Sequence, residues 1–171
     1  ADGGFLVGGY SRSGISGDKS EANRSGPCDS FTDDCPADYW LVKVDESGNI
    51  IWDKSFGGNG EDLMKFMFAL PDGGYLLAGT SESGISGDKS KPLIGASDFW
   101  IVTIDENGDK VWDESVGNLN NNYFTAMAEA HSGGYLLGGN TKTEGAGTSM
   151  WTSKISPAGS PEWYKVYKKT T

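Results

Sequence analysis

The chain has 171 residues, with 26 Gly, six Trp, seven Tyr and seven Phe, a mixture that belongs to short strands and tight turns in a single domain with a buried core. A formal net charge of −10, with one basic cluster at Lys165, Lys168 and Lys169, excludes a nucleic-acid backbone binder, which needs a concentrated positive surface. No run of 18 apolar residues occurs, so no membrane-spanning helix is expected.

In chain order, Asp2-Gly3-Gly4-Phe5-Leu6-Val7-Gly8-Gly9 reads as a strand, followed by a polar loop that contains Ser13-Gly14-Ile15-Ser16-Gly17-Asp18-Lys19-Ser20. Two cysteines lie further along this loop, Cys28 and Cys35. Their separation fits a local disulfide and so an oxidising compartment; free thiols are the alternative. Zinc would want at least two more ligands, and His131 is the one histidine. Tyr39 to Asp45 is the next strand. The turn Asp45-Glu46-Ser47-Gly48-Asn49 then leads into Ile51 to Ser55, with Ser-Gly supplying the positive φ a hairpin needs.

The pattern then repeats. Strand a is expected over 62–70, b over 74–81, c over 98–105 and d over 110–116, with a hairpin turn at 105–109. A third round runs from Tyr123 through Ser132-Gly133-Gly134-Tyr135-Leu136-Leu137 and Met150-Trp151 to Glu162-Trp163. All six tryptophans fall in pairs twelve positions apart, Trp40/Trp52, Trp100/Trp112 and Trp151/Trp163, so each pair lies on adjacent strands of one hairpin. Strand c is apolar on both faces: Phe99 and Ile101 point one way, and Trp100, Val102 and Ile104 the other. A sheet covered on both sides by its neighbours requires that.

The expected fold is all-β: tandem four-stranded antiparallel blades forming a partial β-propeller. Blade 1 covers about 1–58 and lacks its first strand, blade 2 about 59–118 and blade 3 about 119–171. The third copy has a more polar strand c and no second-loop motif, as a degenerate end blade would. Eleven strands do not close a ring comfortably. The expectation is therefore that the missing remainder comes from further blades of a longer chain or from a homo-oligomer, with an open array as a third possibility.

The pattern DGGYLLAGTS, SGDKS, DFWIVTIDENGDKVWDES resembles the propeller-type tandem repeats of large secreted bacterial surface proteins associated with type IX secretion, and more loosely kelch repeats. That resemblance implies a propeller, an extracellular or cell-surface location and no assigned activity.

Variation between units concentrates in the b–c loop, which shortens from unit to unit, and this loop shares a rim with the d–a connections 57–61 and 117–121. That rim is the expected working face, with Asp18, Lys19, Asp88, Lys89, Asn59, Asn120 and Phe31 as candidate ligand contacts. The loop Ser13–Ser20 recurs unchanged as Ser83–Ser90. The structural account is that its glycines set turns, Asp and Ser bond backbone amides, and Ile packs inward. The sharper one is a ligand or Ca²⁺ site used twice, although calcium wants six to eight oxygens and one Asp with two Ser falls short unless backbone carbonyls and the d–a loop contribute. No cofactor is otherwise expected.

The fixed tryptophans read as core, and His131 as a solvated turn residue. No serine elbow, phosphate loop or metal cluster points to catalysis. The expected function is a non-catalytic extracellular binding or adhesion module for a surface glycan or protein. The scaffold part of a propeller enzyme, such as a glycoside hydrolase, and a structural spacer are the alternatives.

Overall fold

The computed structural model describes residues 4–25, 35–71, 73–143, 145 and 147–168. Among these, eleven strands form in order: β1 (Phe5–Ser11), β2 (Asp38–Val44), β3 (Ile50–Phe56), β4 (Asp62–Ala69), β5 (Tyr75–Ser81), β6 (Asp98–Ile104), β7 (Lys110–Val116), β8 (Asn121–Glu129), β9 (Tyr135–Thr143), β10 (Gly147–Ile155) and β11 (Pro161–Tyr167). They make three antiparallel meanders: β1 to β3, β4 to β7, and β8 to β11. The boundaries read from the sequence hold to within one residue in the second unit. The third unit forms all four strands, including the outer ones.

The hairpins form for the local reason expected. Gly48 and Gly108 take φ of 84° and 81°, and the carboxylates of Asp45 and Asp105 each accept two backbone N–H groups of their own turn.

The sheets stack in a row, with a core in each gap. Tyr39, Leu41 and Phe56 of the first sheet meet Met64, Leu77, Trp100, Val102 and Ile104 of the second. Phe99, Ile101 and Val116 of the second meet Phe124, Leu137, Trp151 and Ile155 of the third. Strand β6 feeds both cores with alternate residues, and all seven of its residues are buried. This explains why the strand is apolar on both faces.

One aromatic step is used twice. Tyr39 packs on Trp100 with ring centroids 4.9 Å apart and donates its hydroxyl to the Trp100 carbonyl at 3.0 Å. Phe99 packs on Trp151 at 4.7 Å. The second tryptophan of the first two pairs covers the next sheet's hairpin glycine: Trp52 lies over Gly108 and Trp112 over Gly159. Trp52, Trp100, Trp112 and Trp151 therefore help set the spacing between sheets, whereas Trp163, expected in the core, is 42% exposed. Fully burying a side chain such as Phe99 contributes about 2–3 kcal/mol.

Candidate functional site

The two identical loops are built alike. Lys19 and Lys89 turn under their loops and are buried. Each ammonium donates to a serine of its own sheet's last strand, Lys19 to Ser55 at 2.8 Å and Lys89 to Ser115. The next residue bonds the aspartate two positions before that serine. Ser20 N–H donates to Asp53 at 3.0 Å and Ser90 N–H to Asp113 at 2.8 Å. The same aspartates accept the Trp40 and Trp100 indole N–H at 3.0 and 3.1 Å. Burial pushes the Asp53 and Asp113 carboxyls up, but hydrogen bonds, from Ser20 and Trp40 to Asp53 and from Lys110, Ser90 and Trp100 to Asp113, outweigh it and hold both below the usual range. Burial lowers both lysines.

This corrects the reading of Lys19 and Lys89 as ligand contacts: both are spent inward. An ammonium under each loop also opposes a cation placed beside it. Ile15 and Ile85 do not pack inward. They are 69% and 68% exposed, because the backbone bridges Ser16–Lys19 and Ser86–Lys89 that turn the lysines under the loops turn the isoleucines out.

The other candidates divide. The Asp88 carboxylate accepts Arg24 Nε at 2.7 Å and Gly57 N–H at 3.3 Å from the first sheet, so it clamps two sheets together. Asn59 ties the connection 57–61 to the second loop: its side-chain oxygen accepts Gly84 N–H at 3.1 Å and the Ser86 hydroxyl at 2.9 Å. Asn120 bonds locally to Asn118. Asp18 is exposed. Phe31 and Cys28 lie outside the described residues. Cys35 is buried, and its carbonyl accepts Arg12 at 2.8 Å. His131 is an exposed turn residue.

Buried acids line the sheet junctions. Asp38 and Asp62 are both fully buried, and each has one carboxylate oxygen without a hydrogen-bond partner. Burial raises both to about 6, and the negative charge of Asp62 adds to the rise at Asp38. The next junction places Asn122 where Asp62 stands, and its amide donates to Asp98 at 3.4 Å.

Two clefts open between the second and third sheets. The larger, about 510 Å³, lies at the hairpin rim, opposite the face expected from the sequence; it is lined by Thr103, Glu106, Asn107, Trp112, Tyr135 and Pro157 among others. The second, about 360 Å³, is lined by Ile94, Ser153, Pro161, Glu162, Trp163 and Tyr164, with Trp151 at its base. It lies where the third sheet has no counterpart of the lysine loop. The strand partners show what else was lost with that loop: Val166 stands opposite Trp151 where Ser115 stands opposite Trp100, and Tyr164 replaces Asp113. The Trp151 indole N–H is consequently buried without a partner. Trp163 and Tyr164 are 42% and 60% exposed. Sequence reasoning did not connect Tyr164 with the missing loop. The paired loss of Asp and SGDKS was the signal that could have found this site.

The chain matches no model of a known protein family and no curated protein.

Proposed function

We propose that the chain is a non-catalytic binding module of an extracellular surface, with a glycan bound in the cleft over Trp151. The observation that carries this reading is the unpartnered Trp151 indole N–H beside the exposed ring of Tyr164, whose centroid lies 6.1 Å from that of Trp151. A sugar presents hydroxyls to accept from such a donor and an apolar ring face to stack on such an aromatic, and a buried donor left unmade costs about 1–3 kcal/mol until a ligand supplies its acceptor. The likeness of the repeats to those of secreted bacterial surface proteins supports the location, as does the proposed Cys28–Cys35 disulfide. Intact mass without reductant should be two hydrogens lighter than with it.

The test is a glycan array probed with and without calcium. Binding is expected to be calcium-independent and to fall at least tenfold in Tyr164→Ala, an exposed position whose loss should leave the melting temperature nearly unchanged. A silent array with folded protein sinks the glycan reading and leaves a structural spacer. A protein partner is the second reading. It is favoured by the outward Ile15 and Ile85 and by Leu119, which is 87% exposed, since exposed aliphatic groups mark protein contacts better than sugar contacts.

A further inference from the structure

The repeated loop does more than cover its own sheet. In the second sheet, the edge of β5 and the loop Ser83–Ser90 together hold one continuous segment, the connection 57–61 and strand β4. Gly60 N–H donates to the Ser83 hydroxyl at 2.8 Å, and Asn59 bonds Gly84 and Ser86 as described. The Asp88 N–H donates to the Gly57 carbonyl at 2.8 Å. The Asp62 carboxylate accepts Ser83 Oγ at 2.7 Å and also a bond from Ser81. Strand β4 then pairs antiparallel with β5, Met64 opposite Gly79. Gly79 is required there: a Cβ would collide with the Leu63 carbonyl oxygen and lie 2.6 Å from the Tyr39 hydroxyl. Gly139 has the same constraint from the Tyr123 carbonyl.

The first sheet carries every one of these receiving groups. Gly9, Ser11, Ser13, Gly14, Ser16 and Asp18 match Gly79, Ser81, Ser83, Gly84, Ser86 and Asp88. Yet among the described residues β1 pairs with β2 alone, and nothing comes within 4 Å of a Cβ built at Gly9 or at Gly17. Phe5 and Val7 are exposed where their counterparts Tyr75 and Leu77 are covered. A glycine with no steric duty, beside a loop whose side chains match a bound copy residue for residue, marks a vacant receptor.

We propose that the edge of β1 and the loop Ser13–Ser20 form a docking site for an extended polypeptide segment of the chemistry of 57–69: a Gly-Gly-Asn-Gly turn, an aspartate that reaches Ser13, then an apolar antiparallel strand. The occupant is a segment from outside the described residues. A second copy of this chain has its own β4 and β8 already paired within sheets. Edge addition of this kind takes affinity from main-chain hydrogen bonds and specificity from alternate side chains.

The experiment uses the full 171-residue chain and a synthetic peptide of residues 56–70 with a two-lysine tail for solubility, titrated by calorimetry. One-to-one binding is expected, with at least tenfold loss in Gly9→Val and weaker binding in Asp18→Ala. Gly9→Val has room for its side chain in the free protein, so its melting temperature should hold or rise. Binding equal in wild type and Gly9→Val would overturn the proposal, because the peptide would then sit elsewhere, for example by displacing β4. No binding to the folded wild type would overturn it too. So would a dimer abolished by Gly9→Val that the peptide does not compete, since a second copy would then be the occupant.

Discussion

Asp62 and Asn122 occupy the same place in successive sheets, and the difference sets a pH dependence. Asp38 and Asp62 have folded-state values near 6, above the unfolded carboxylate value near 4. Between these limits the folded state holds more protons, so stability falls as pH rises from about 4 to about 6 and the cost is complete at pH 7. Asp53 and Asp113, which are held low, act oppositely: their contribution is lost as pH falls below about 4. Melting temperature is therefore expected to peak near pH 4–5 and to decline towards pH 7.5. Asp62→Asn, which copies the next junction, should raise the melting temperature at pH 7.5 by about 5 °C and flatten the decline. An unchanged profile in this variant would show that Asp62 does not carry the effect.

At the scale of elements, the loop Ser83–Ser90 joins its own sheet to the preceding one. Lys89 bonds Ser115 within the sheet, whereas Asp88 bonds Arg24 across the junction. Loop Ser13–Ser20 has the first kind of bond alone among the described residues. Lys89→Ala removes a buried charge partner and leaves its acceptors unmet, a change that costs about 2–4 kcal/mol. Urea denaturation should show a smaller loss for Asp18→Ala than for Asp88→Ala, because Asp88 clamps two sheets whereas Asp18 is exposed. Equal losses would mean that the inter-sheet clamp contributes nothing.

At the scale of the molecule, no sheet has a core of its own among the described residues. Each apolar gap is shared by two sheets, and β6 serves both. The described array should therefore unfold in one cooperative transition. Phe99→Ala, which opens a cavity against Trp151 and Phe124, should cost about 3–5 kcal/mol and lower the whole transition. If the third sheet instead melts separately in the wild type, the nearest-neighbour coupling typical of repeat arrays is weaker than this packing implies.

The sequence alone determined the strands, their order and their double-sided burial, because these follow from local chemistry. Tryptophans at constant spacing and hairpin turns that end on glycine act within a few residues and survive in every copy, although Ser156 replaces the turn aspartate in the third. It also placed the identical loops on one rim. It could not assign the loop's side chains, since a lysine beside an aspartate reads as a surface pair until the serine and aspartate of a distant strand are brought beneath it. Nor could it find the cleft over Trp151, which exists because one sheet lacks a loop that the other two possess. Only packing shows that, among the described residues, no strand stands against Gly9 while strands stand against Gly79 and Gly139. The residue type is the same at all three positions, and what differs is whether a strand stands against it.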